Sequence, residues 1–176
     1  MGIGLSGLVV TSCPFCTFSC LLDQAEGQYI ASCSDDCDVI IWKHFPEVVS
    51  PGSINTGHGK WRNVCSLQGQ HERTVFSIDW GSQNNCLATG AADNAIRVFK
   101  QCESENSDSK YKWKSSTQYG QCIHVSGPSF AMISEVKSAH QGDVNCVRWS
   151  PSDESLLVSA GDDGAISMWR WIDPDL

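Results

Sequence analysis

The chain of 176 residues carries 12 Lys and Arg against 20 Asp and Glu, a formal net charge of -8, which excludes the basic composition needed to neutralise a nucleic-acid backbone. With 41% hydrophobic and 18% charged residues, it has the make-up of a soluble globular protein, long enough for one ordinary domain or at most two small ones. Ten Cys fall short of a small disulfide scaffold and fit buried thiols in a reducing compartment.

Met1 to Leu22 is free of charge, yet it has no basic leader and contains Pro14 and three Cys, so neither a signal peptide nor a membrane span is expected. Met1, Gly2 and Ser6 fit the myristoylation pattern only loosely. Short apolar strands follow at Ala31-Ser32-Cys33 and Val39-Ile40-Ile41-Trp42, then a Pro- and Gly-rich connection from Lys43 to Lys60, then a strand at Trp61 to Leu67. Val75 to Trp80 alternates in the period of a half-buried strand, and Leu87-Ala88-Thr89 and Ile96-Arg97-Val98 are short apolar runs. Lys100 to Phe130, which includes Glu103 to Ser109, reads as a solvated insertion, followed by a strand around Met132 to Val136. The turn pairs Asp93-Asn94 and Asp163-Gly164 suit tight hairpins. No segment has the pattern of a long amphipathic helix.

The chain repeats itself. Ala31 to Trp42, Ala88 to Phe99 and Val158 to Trp169 line up, and in each the last Asp of the turn stands six residues before the closing aromatic. Upstream, His71 precedes Asp93 by 22 residues and His140 precedes Asp163 by 23; Val75 and Val144 each lie four after the His, and Trp80 and Trp149 five after the Val. The same spacing traced back from Asp36 places Leu22 at the Trp position, Thr17 at the Val position and Cys13 where a His would stand. The resulting units are 15–67, 71–137 with the insertion 100–130, and 140–171, between a divergent segment 1–14 and a tail 172–176.

His, turn Asp and closing Trp at this spacing resemble the WD40 repeat, each unit of which forms one propeller blade. Gln70-His71-Glu72-Arg73-Thr74-Val75, Leu87 to Phe99 with its Ile-Arg-Val-Phe ending, and Asp143-Val144-Asn145-Cys146-Val147-Arg148-Trp149 resemble, more narrowly, the WD-repeat subunit of the cytosolic iron-sulfur protein assembly machinery, the Ciao-type proteins. The similarity runs from about residue 16 to 171 and matches the C-terminal three of that family's seven blades. It implies an all-β fold: a partial β-propeller of about three WD40 blades, each a four-stranded antiparallel sheet, in a ring not closed by this chain alone. The third unit is expected to lack its last strand. Segment 1–14 matches nothing in the family pattern, which implies a truncated form.

His140, Ser159 and Asp163 resemble a hydrolase triad, as do His71, Thr89 and Asp93. A set that recurs at fixed spacing belongs to the repeat, so no catalytic residue is assigned. The resemblance implies that the turn Asp accepts from the His ring, whose other nitrogen meets the Ser or Thr hydroxyl, which faces the Trp indole. The third unit is complete through Trp169, the second lacks an indole at Phe99 so that Thr89 needs another partner, and the first holds Ser32, Asp36 and Trp42 but no His.

Among the cysteines, Cys33, Cys86 and Cys146 read as core side chains, and Cys16 and Cys20 in one strand would lie about 13 Å apart, too far to share a metal. Only Cys13 and Cys16 are spaced to converge, and a lone C-x-x-C does not assign a metal or cofactor site. Lys110-Tyr111-Lys112-Trp113-Lys114 alternates basic and aromatic residues, which reads as an amphipathic edge strand or loop. The resemblance implies a non-catalytic scaffold without a cofactor of its own, cytoplasmic and also nuclear, that helps deliver [4Fe-4S] clusters to cytosolic and nuclear apoproteins. Its implied partners are the other subunits of the targeting complex and the client apoproteins, with neither nucleic acid nor membrane among them. A generic WD40 adaptor, such as a ubiquitin-ligase substrate receptor, would share every repeat feature.

Overall fold

The computed structural model describes residues 17–22, 29–46, 59–81, 85–102, 123–124 and 129–172, and every regular element among them is a β-strand. The segment 1–14, Cys16 and the alternating stretch at Lys110 to Lys114 lie outside the described residues. The short apolar runs bounded by Asp, Asn and Gly become twelve strands: β1 (Thr17–Leu22), β2 (Tyr29–Ser34), β3 (Val39–Phe45), β4 (Lys60–Leu67), β5 (Val75–Trp80), β6 (Cys86–Ala91), β7 (Ile96–Cys102), β8 (Ile123–His124), β9 (Ser129–Val136), β10 (Val144–Trp149), β11 (Leu156–Gly161) and β12 (Ile166–Arg170).

They form three antiparallel sheets in the orders β1-β2-β3-β4-β8, β5-β6-β7-β9 and β10-β11-β12. This is the all-β architecture of a partial propeller, with no closed ring among the described residues. Register is shared between repeats: Thr17 pairs with Ser34, Val75 with Ala91 and Val144 with Gly161, each followed by a bulge at the same point. The hairpin turns also correspond. Cys37, Asn94 and Gly164 occupy one repeat position at φ of 67°, 61° and 72°. Glycine and asparagine reach that left-handed region readily, whereas Cys37 holds it with a β-carbon.

The insertion read at 100–130 contributes more backbone pairing than a solvated loop would. β7 extends to Cys102, β9 begins at Ser129, and β8 lies against β4 with Cys65 opposite His124 and Ser66 opposite Ile123. An outer strand such as β4 presents a row of backbone donors and acceptors, which a passing segment satisfies.

Two apolar layers join the sheets. Ala31, Cys33, Val39 and Ile41 of the first sheet pack with Val75, Ile78, Trp80, Leu87 and Phe99 of the second. Ala88, Ile96 and Val98 of the second pack with Val144, Val147, Trp149 and Leu157 of the third. Polar contacts cross the second junction: Ser77 Oγ accepts from the Val147 N–H at 3.1 Å, Asp79 Oδ2 from the Trp149 N–H at 2.5 Å, and Arg148 Nη1 donates to the Ile78 carbonyl at 3.2 Å. Cys33 and Cys86 are core residues, as expected, and Cys65 joins them. Cys146 is only half-buried, because its face of the third sheet has no described neighbour across it.

Candidate functional site

The recurring polar sets lie at one end of each sheet, where the turn after the second strand meets the segment leading into the first. In the third repeat His140 Nδ1 lies 3.0 Å from Asp163 Oδ1 and its Nε2 2.7 Å from Ser159 Oγ. The Trp169 indole donates to the same hydroxyl at 2.8 Å. His140 is 4% exposed and Ser159 1%. Because the Ser159 oxygen accepts the indole proton, its own proton is directed to His140 Nε2, which leaves Nδ1–H to donate to Asp163. Asp163 also accepts from the backbone N–H groups of Gln141 at 2.9 Å and Ala165 at 3.0 Å. Those two bonds, with the His140 hydrogen bond, hold its carboxyl at about 2 despite the opposing effect of burial.

The second repeat solves the same problem with different chemistry. His71 Nδ1 stands 3.1 Å from Asp93 Oδ2, and Nε2 2.7 Å from Thr89 Oγ1. Where Phe99 offers no donor, the Thr89 hydroxyl donates to the carbonyl of Arg97 at 3.3 Å. The Arg97 guanidinium lies 2.5 Å from His71 Nδ1, donates to Asp93 Oδ2 at 2.6 Å and pairs with Glu135 Oε1 at 2.8 Å. Burial lowers the His71 pKa and the nearby guanidinium adds to that, so the ring is neutral at neutral pH. Burial alone would raise the Asp93 pKa; the His71 ring and Arg97 outweigh it and hold the carboxyl well below the usual carboxylate range.

In the first repeat the Trp42 indole donates to Ser32 Oγ at 2.9 Å. Asp36 Oδ1 accepts from Ser34 Oγ at 2.5 Å and from the Asp38 N–H at 3.0 Å. A neighbouring hydroxyl and a backbone amide thus supply donors to Asp36 in the repeat whose spacing places no His.

Arg97 is the residue that sequence reasoning missed. It occupies the repeat position of Ile40 and Ser167, and the available signal was coupled: an indole lost at position 99 and a guanidinium gained two residues earlier, four after the turn Asp. As for chemistry, the Ser159 and Thr89 hydroxyls are buried and bonded on both sides, with no approach for an acyl group. Burial, followed by the Asp35, Asp36 and Asp38 carboxylates, pushes the Cys37 thiol up, the reverse of what a thiolate ligand needs. Among the described residues no three His, Cys, Asp or Glu side chains converge to hold a metal ion, and no helix is long and apolar enough to cross a membrane.

The family model "WD domain, G-beta repeat" matches residues 9–43, 61–100 and 133–170. The chain is 37% identical over 131 residues to a protein of Nematostella vectensis named as a probable cytosolic iron-sulfur protein assembly protein, CIAO1 homolog, a match over 74% of this chain and 35% of the relative. It is 35% identical over 149 residues to the protein named Ciao1 in Aedes aegypti, covering 84% and 39% of the two chains. The correspondingly named protein of Homo sapiens is 36% identical over 115 residues, covering 65% and 29%. The chain therefore spans between about a third and two fifths of the length of these first two relatives. The repeat spacing, the three sheets with their shared register and the match across all three units together establish that this chain belongs to the WD-domain, G-beta repeat family.

Proposed function

We propose that this chain is a non-catalytic WD40 scaffold in cytosolic iron-sulfur protein assembly, helping to deliver [4Fe-4S] clusters to cytosolic and nuclear apoproteins. The cluster is cargo of the complex, and the other targeting subunits and the client apoproteins are the partners held. The observation that carries the reading is the 35–37% identity, over 74–84% of this chain, to proteins named for cytosolic iron-sulfur protein assembly. The structure supports the scaffold part: the polar sets are internally satisfied, so they serve rigidity, and among the described residues Ile166, Met168 and Ile172 are exposed apolar side chains available for contact. In the same reading the units 15–67, 71–137 and 140–171 act as successive blades, and the networks of His71, Thr89 and Asp93, of His140, Ser159, Asp163 and Trp169, and of Ser32, Asp36 and Trp42 pin them.

The test is affinity capture of the tagged full chain from cytosol, together with the activity of a cytosolic [4Fe-4S] enzyme in cells that depend on this chain. Recovery of cluster-assembly subunits and client enzymes, with restored enzyme activity, is the expected result. Recovery of a ubiquitin-ligase core instead, with no effect on the enzyme, would replace this reading with that of a generic adaptor.

A further inference from the structure

β5 and β10 are terminal strands of their sheets, and they lie alongside each other with no backbone ladder between them. Each therefore turns main-chain donors and acceptors toward the other, at a joint where a β-carbon on Gly90 would stand 2.7 Å from Val144 Cγ1. Three side chains answer those groups. Ser77 Oγ accepts from the Val147 N–H at 3.1 Å and Asp79 Oδ2 from the Trp149 N–H at 2.5 Å, while Arg148 Nη1 donates to the carbonyls of Ile78 at 3.2 Å and Val147 at 3.0 Å. The three contacts that cross the joint each connect residues 70 apart in the chain, so together they define one register. Ser77 and Asp79 are 4% and 7% exposed. A carboxylate bonded to an amide at such a site makes a hydrogen bond about twice as strong as a neutral one. The acceptor is peculiar to this joint. With Thr17, Val75 and Val144 as equivalent first residues, the position of Asp79 falls to Leu21 in the first repeat and to Arg148 in the third, and neither side chain can accept a hydrogen bond.

We infer that Asp79 is a positioning residue: with Ser77 and Arg148 it forms a side-chain latch that takes the place of a strand ladder between β5 and β10 and sets the register of the third sheet against the second. Ser77 and Asp79 stand in for the carbonyls that a neighbouring strand would offer, and Arg148 stands in for its N–H. At the turn end of the same joint Arg73 donates to the Ala92 carbonyl at 2.6 Å and pairs with Asp143 at 3.4 Å, again 70 residues on. That second contact is the weaker one, because the Arg73 side chain is 63% exposed. The latch holds the surface that spans the two repeats in one geometry, and it rests on this joint alone, independently of iron-sulfur assembly.

The test is residue-resolved amide exchange in the full chain, following Val147 and Trp149, with Val158 and Ala160 on β11 as internal controls. In the unaltered chain Trp149 should be protected to within about tenfold of the controls. Asp79→Leu, which installs the residue of the first repeat, should speed exchange at Trp149 by at least about tenfold relative to Val158, whereas Asp79→Asn, which keeps an acceptor oxygen, should hold it to within about threefold of the unaltered chain. Ser77→Ala is the smaller change and decides the matter if Asp79→Leu does not fold: it should speed exchange at Val147 and leave Trp149 protected. The inference is overturned if Val147 and Trp149 exchange as freely as exposed amides in the unaltered chain, or if Asp79→Leu folds and leaves Trp149 unchanged. It is overturned also if Asp79→Asn exposes Trp149 as much as Asp79→Leu does, or if Ser77→Ala leaves Val147 unchanged.

Discussion

Arg97→Met isolates the feature that distinguishes the second repeat. The substitution keeps most of the aliphatic stem and removes a guanidinium that lies 2.6 Å from Asp93 and 2.8 Å from Glu135. These side chains are 10%, 9% and 16% exposed, so water replaces little of what is lost. Glu135 keeps Lys137 at 3.5 Å, but that ammonium is 79% exposed and compensates weakly. Breaking one side of a buried pair costs about 3–5 kcal/mol, and the residual contacts of Asp93 with His71 and of Glu135 with Lys137 favour the lower end, about 3 kcal/mol. With a urea dependence of about 2–3 kcal/mol per molar, the midpoint seen by tryptophan fluorescence should fall by about 1 M or slightly more. Adding Glu135→Gln removes one uncompensated charge and should recover part of the loss. A drop under about 1 kcal/mol would show that the guanidinium behaves as a solvated surface charge and would refute the assignment of Arg97 as the replacement for the missing indole.

Stability should also fall in acid in two stages. The His71 pKa is lowered in the fold, so as pH drops below about 6.5 the unfolded chain takes up a proton that the buried ring refuses, with a slope of at most about 1.4 kcal/mol per pH unit, read from urea midpoints between pH 7.5 and 5. The Asp93 and Asp163 carboxyls are depressed, so their contribution is present above about pH 4 and is lost as pH falls toward about 2. Trp169→Phe imitates the second repeat without its arginine; loss of the 2.8 Å bond to Ser159 should cost about 0.5–1.5 kcal/mol by thermal denaturation, and Thr89→Val, which loses the bond to the Arg97 carbonyl and leaves the buried His71 Nε2 without its hydroxyl partner, should cost more, about 1–3 kcal/mol. Gly90→Ala places a β-carbon 2.7 Å from Val144 Cγ1 and 3.0 Å from Val147 Cγ1, so it should wedge the second and third sheets apart at about 1–3 kcal/mol. An unchanged melting temperature for that variant would show that the junction is loosely packed.

The short apolar runs, their turns and the recurring His, hydroxyl and Asp positions were legible before any coordinates, because a repeat writes the same local chemistry several times at one spacing. His140, Ser159 and Asp163 could be grouped by spacing, and Trp169 through the resemblance, since Ser159 and Trp169 sit on the paired strands β11 and β12 while Asp163 lies in the turn between them and His140 just before β10. The left-handed turn at Asn94 and Gly164 was equally local. The role of Arg97 was not, because it depends on Glu135, brought beside it by the pairing of β7 with β9 across the long insertion. The same holds for β8, whose two residues find β4 from far along the chain, and for Cys146, whose pattern suggested core but whose sheet face meets no described neighbour. Sequence determined what each strand is made of, through periodicity and turn preference. Only the tertiary structure decided which faces and edges were covered, because burial and ion pairing depend on what other segments bring to the same place.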